Sequence, residues 1–173
     1  MQPPPTDDRA NSPVVILDLQ LAHNDAEQAP GHAQVPAEAD FQTWISAVLA
    51  EHHIDHAEVT VRTVGIDESR ELNLTYRGKD KPTNVLSFPF EADIELPIRL
   101  LGDLVICVPV MCEEAAQQDK PVIDHWAHLV VHGTLHLLGY DHIEENEAEH
   151  MERLEIQILS QFNIADPYHK ESI

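Results

Sequence analysis

The sequence predicts an α+β fold: a single domain in which a mixed sheet of about four strands packs with about five helices. Three observations carry this. Apolar residues crowd at strand density in Val14–Leu21, in EVTVRTV (58–64), in VLSFPF (85–90) and in LGDLVICV (101–108). Helical spacing of apolar residues occupies 38–52, 110–118, 122–138 and 144–162, with a shorter helix through Leu72 and Leu74. At 173 residues, with 43% hydrophobic and 24% charged residues, the chain is long enough to bury one core of its own.

Taken in order, residues 1–12 (MQPPPTDDRANS) read as a disordered, proline-rich tail, and 13–168 as the single folded domain. The first strand follows, then a loop with Pro30, Gly31 and Pro36. The helix over 38–52 places Phe41, Trp44, Ile45, Val48 and Leu49 on one face. After the second strand, Asp67 is expected to cap the short helix. The segment RGKDKPTN (77–84), without an apolar residue, reads as a loop. Two strands separated by EADIELPIRL come next, then a helix ahead of Pro121. The helix 122–138 is apolar almost all round, so it should lie buried at the centre. A last amphipathic helix turns Met151, Leu154, Ile158 and Leu159 inward, and 169–173 form a C-terminal tail.

Chemistry concentrates in HGTLHLLGYDH (132–142). His132 and His136, four apart, lie about 40° apart around a helix axis and can grip one ion from one face. His142 on a continued helix would lie about 9 Å further along the axis, beyond the reach of an ion bound at about 2.0–2.1 Å. Gly139 resolves this, because a left-handed glycine can end the helix and turn Tyr140, Asp141 and His142 back. Three histidines with a fourth position open are the ligand set of a catalytic metal, most simply Zn2+, with Ni2+ or copper also suited to imidazole. His128, one turn earlier, either braces a ligating histidine from behind or takes a ligand's place. Asp141 is either a base, a histidine orienter or a turn cap. The remaining histidines, His125 among them, read as structural or solvated.

The net charge of −21 argues against broad polyanion binding, which draws on clustered Lys and Arg. Glu144, Glu145, Glu147, Glu149, Glu152 and Glu155 supply part of it, as a solvated acidic region. Arg77, Lys79 and Lys81 make one small basic spot able to hold RNA locally. No run of 18 apolar residues and no basic, apolar leader is present, and Cys107 and Cys112 have no metal or redox spacing. The expectation is a cytoplasmic protein that neither spans a membrane nor is secreted.

HGTLHLLGYDH, together with NLTYRGKDKPTNVLSFPF (73–90) and LGDLVICV, resembles the YbeY family of endoribonucleases over about Val14 to Tyr168. The resemblance implies metal-dependent, single-strand-specific cleavage of RNA in ribosomal RNA maturation and small-subunit quality control. It implies His132, His136 and His142 as ligands and Arg77 as the catalytic arginine. Single-stranded RNA, a ribosomal RNA precursor, and the small ribosomal subunit with its basic proteins are the implied partners, with Lys79 and Lys81 as substrate-binding candidates.

The histidine spacing is also similar to the metzincin peptidases, whose general-base glutamate follows the first histidine. Gly133 stands there, so peptide hydrolysis would lack its proton carrier. A non-catalytic ribosome-assembly factor with a structural metal is the other alternative.

Overall fold

The computed structural model describes residues 12–23, 35–91, 96–141 and 144–168. The elements run β1 (Val14–Leu21), α1 (Glu38–Glu51), β2 (His56–Val64), α2 (Ile66–Arg77), β3 (Val85–Pro89), β4 (Arg99–Cys107), α3 (Val108–Gln117), α4 (Val122–Leu137) and α5 (Glu145–Ser160). The sheet order is β1-β2-β4-β3, with β1, β2 and β4 parallel and β3 antiparallel to β4. The expected mixed four-stranded sheet with five helices is therefore what these residues form. Of the expected tails, all but Ser12 of 1–12 and the whole of 169–173 lie outside the described residues.

Period-two alternation sorts each strand between two faces. Leu104 and Ile106 of β4 join the large core with α1 and α4, while Val105 and Cys107 join a smaller cluster with Leu72 of α2 and Val110 of α3. Helix α4 is buried almost all round, as its composition predicts: His125, Trp126, Ala127, Leu129, Val130, Val131 and Leu135 all lie inside. Trp126 meets Phe41 of α1 edge-to-face with centroids 5.8 Å apart, a packing in which the positive ring edge faces the negative ring face.

Two backbone features differ in detail from expectation. Asp67 does not cap α2; the N-cap is Gly65, and Asp67 sits in the first turn, where its charge still favours the helix N-terminus. The helix also runs one residue into the segment read as a loop, so Arg77 is its last residue rather than a loop residue. Gly102 has φ +128°, and a Cβ there would come 2.1 Å from the Phe88 carbonyl oxygen. Only glycine lets β3 approach β4 this closely, and β3 is the strand that walls the site.

Candidate metal centre and groove

A groove of about 1010 Å³ runs between α4 and the α2–β3 side, lined by His132, His136, Tyr140, Arg77, Phe88 and Tyr168 among others. One wall is α4 and its C-terminal turn. The helix ends as Gly139 predicts: its φ is +103°, the Tyr140 N–H donates to the Leu135 carbonyl (3.1 Å) and the Gly139 N–H to that of His136 (3.0 Å). This pair of bonds is a Schellman cap. Tyr140 is held further by His52 Nε2 at its hydroxyl (2.8 Å) and by stacking on His150. The turn is thereby fixed up to Asp141, which lines the groove; His142 lies outside the described residues.

His132 and His136 meet as the spacing requires, with their Nε2 atoms 3.1 Å apart. The opposite ring nitrogens define what those atoms are. His136 Nδ1 is 2.8 Å from the Tyr140 carbonyl oxygen, which can only accept, so Nδ1 carries the proton. His132 Nδ1 bonds the Glu155 carboxylate, which likewise accepts. In the neutral rings both Nε2 atoms therefore present lone pairs to each other, an arrangement that a cation between them relieves. Two nitrogens each about 2.0–2.1 Å from one tetrahedral ion stand a little over 3 Å apart, so the donor set fits a transition metal.

Glu155 is wholly buried in α5. Burial alone would raise its carboxyl, but hydrogen bonds from His128, His132 and Tyr168 outweigh that and hold it at about 2. It accepts from the Tyr168 hydroxyl, and His128 Nε2 lies 3.4 Å from its second oxygen. Burial, then the Glu155 charge, push the Tyr168 hydroxyl well above its ordinary range; burial pushes His128 below its own. His128, His132 and Glu155 form a cluster compact enough to hold a metal ion. The identity of that group corrects the picture of the glutamates after the histidines as a solvated region. The signal lay in the sequence: Glu155 shares the stripe of Met151, Ile158 and Leu159 that buries α5.

The facing wall places Arg77 on the groove at the end of α2, while Lys79 and Lys81 stand exposed on the turn beyond it. That turn is rigid. Buried Asn73 donates from Nδ2 to the Lys81 carbonyl (2.8 Å), and buried Ser69 exchanges hydrogen bonds with the Thr83 backbone. Asp80, between the two lysines, pairs with Arg70 (2.6 Å). His125 is structural, as expected: it is buried against Glu114 (2.9 Å), which also receives the Asn84 amide at the start of β3.

A model of the family described as Endoribonuclease YbeY matches residues 23–163. The chain belongs to the YbeY endoribonuclease family. The solution structure of TM1509 from Thermotoga maritima is similar in fold to this YbeY-family chain, with a TM-score of 0.52 at 22% identity over 90% of this chain and 100% of that one. Among the described residues of this YbeY-family member, no helix is long and apolar enough to cross a membrane.

Gly133 also settles what the peptidase comparison turns on. A Cβ at 133 would come 2.7 Å from Leu104 Cδ2 and 3.3 Å from Ser87 Oγ and Val85 Cγ2. The position faces the sheet, not the groove. A glutamate there would be driven into packed β3 and β4 side chains rather than towards a substrate.

Proposed function

We propose that this protein is a metal-dependent, single-strand-specific endoribonuclease acting in ribosomal RNA maturation and small-subunit quality control, with residues 13–168 forming the catalytic domain. The observation that supports it best is the pair of Nε2 atoms 3.1 Å apart, each turned towards the other by a partner on its own Nδ1. His132 and His136 would hold the ion, with His142 as the third ligand. Zinc suits imidazole ligands, as does nickel. A divalent ion bound there supplies Lewis-acid polarisation of a phosphoryl oxygen and lowers the pKa of water.

The chain's own residues do the rest. Glu155 and the Tyr140 carbonyl fix the tautomers and orientation of the two histidines, the role that carboxylates and carbonyls play behind metal ligands. Arg77, across the groove, offsets negative charge developing on the phosphoryl oxygens. Lys79 and Lys81 guide the RNA backbone from the adjoining turn. The acidic remainder of the surface suits docking to the basic proteins of a cytoplasmic small ribosomal subunit.

Cleavage of a labelled single-stranded RNA by the metal-loaded protein tests this, with His136→Ala and Arg77→Ala purified identically. His136→Ala should lose metal and cleavage together. Arg77→Ala should keep its metal and lose about 10²–10³ in rate, the scale of removing one charge-stabilising donor. Equal cleavage by all three proteins would reject the assignment. Retained assembly function in a cleavage-dead Arg77→Ala protein would favour the assembly-factor reading.

A further inference from the structure

The α2–β3 wall carries an aromatic pair of which the fold buries only one ring in part. Tyr76 is 65% exposed in the last turn of α2. Its ring meets Phe88 of β3 edge-to-face, with centroids 5.0 Å apart and planes at 66°. Phe88 is half-buried against the smaller core cluster, so it anchors the pair while Tyr76 projects from it. Both rings line the groove that also holds His132, His136 and Arg77. A single exposed tyrosine is ordinary on a protein surface; this one is set apart because a second ring props it and because it shares one groove with Arg77, His132 and His136. The frame beneath it is rigid because Asn73 and Ser69 tie the following turn to α2, and because Gly78, at φ +71°, closes the helix directly after Arg77.

The ligand follows from the charge balance. With a net charge of −21, and with Glu152 and Asp141 on the same groove as Arg77, long-range attraction of a phosphate backbone is weak. The small basic spot of Arg77, Lys79 and Lys81 then leaves part of the affinity for a nucleic acid to a neutral contact. A base face stacked on an aromatic ring supplies one that is independent of sequence and nearly independent of salt.

Resting on the ribonuclease reading above, we propose that Tyr76, propped by Phe88, is a stacking subsite for an unpaired base next to the scissile phosphate. Tyr76 is in this way a determinant of single-strand selectivity. A base within a duplex has both faces covered by its neighbours and cannot reach the ring without unstacking; a base in a flexible single strand can. Arg77, the next residue, then meets the phosphate while Tyr76 holds its neighbour.

The test is fluorescence anisotropy with the metal-loaded full chain, using a short labelled single-stranded RNA, the same RNA carrying one abasic site in turn at each position, and its duplex. Tyr76→Ala should weaken single-strand binding about 5- to 100-fold, as loss of one stacked base does, and by the same factor at low and high salt. Tyr76→Phe and Tyr76→Trp should bind like wild type. One abasic position should weaken wild type to the level of Tyr76→Ala and cost the variant nothing further. Duplex binding should not change. Wild-type affinity in Tyr76→Ala would overturn the proposal, as would a Tyr76→Phe protein as weak as Tyr76→Ala, because the hydroxyl rather than the ring would then be the contact. If wild type neither binds nor cleaves single-stranded RNA, the ribonuclease reading itself fails and takes the subsite with it. The two failures are separate results of one experiment.

Discussion

The two walls of the groove are built on opposite principles. On the α4–α5 wall a wholly buried carboxylate holds half-buried rings: Glu155 accepts from His132 and Tyr168 and faces His128, and His136 is tied to Tyr140. On the α2–β3 wall the residues we propose to meet the substrate, Tyr76 and Arg77, are exposed, and only the frame beneath them is buried. The difference teaches where each kind of chemistry needs order. Metal ligands must be held before the ion arrives, since each loose ring costs affinity. A phosphate and a base bring their own shape, so the wall that meets them needs position but not enclosure. Stability should therefore be concentrated on one wall and substrate affinity on the other.

That separation can be broken most forcefully at Glu155. In Glu155→Ala the His132 and Tyr168 donors and His128 lose a buried acceptor, at about 1–3 kcal/mol for each group left unsatisfied. We expect chemical denaturation to show a loss of roughly 3–5 kcal/mol. Metal affinity, followed by competition with a chromophoric chelator, should fall about 10–100-fold. A Glu155→Ala protein with normal stability and metal affinity would mean the buried wall is not preorganised at all.

Gly102→Ala attacks the other wall through its frame. The new Cβ collides with the Phe88 carbonyl, and the positive φ adds strain, so about 2–4 kcal/mol of stability should be lost. Because Phe88 and Arg77 stand on that wall, RNA affinity should fall while metal affinity holds. A matching loss of metal affinity would show the walls to be one cooperative unit. Tyr168→Phe sharpens the comparison more gently. It removes one hydrogen bond to a carboxylate, worth about 1.5–3 kcal/mol, and should lower metal affinity less than Glu155→Ala does.

The smallest effect is a pH dependence where Glu114 of α3 joins His125 of α4 to Asn84 ahead of β3. Burial would raise the Glu114 carboxyl, but His125 and Asn84 together hold it below its ordinary value. A carboxyl depressed in the folded state adds stability above its unfolded pKa, near 4.5, and that stability is lost as pH falls through the lower folded value. Acid titration of wild type against Glu114→Gln should show about 1 kcal/mol of extra acid sensitivity in wild type below that point. Parallel curves would assign the acid response elsewhere.

Much of this was legible in the chain. The strands and helices follow from alternation and 3.6-residue spacing, because those patterns decide which side of an element can be buried. The Gly139 turn was legible too, since few residues other than glycine tolerate the backbone that closes a Schellman cap. So was the meeting of His132 and His136, which is a property of one helical turn. Asp67 misled because a good capping side chain lost to Gly65, where the chain leaving β2 sets the start of the helix.

Local facts could be read from the chain alone: the mixed α+β content, the meeting of His132 and His136, the glycine that ends their helix, and the absence of a carboxylate at 133. Facts about neighbours far apart in the chain came from the packing of the elements. Glu155 is indistinguishable from its acidic neighbours by type, and becomes the orienting group behind His132 only because α5 packs its apolar stripe on α4. Gly133 looked like a missing base and proved to be a point of close packing, where an added Cβ would come 2.7 Å from Leu104 Cδ2. Tyr76 and Phe88 lie 12 positions apart and form a pair because the turn between α2 and β3 folds one back over the other. A local pattern marks which side of an element is buried, but which groups converge there depends on which surfaces meet.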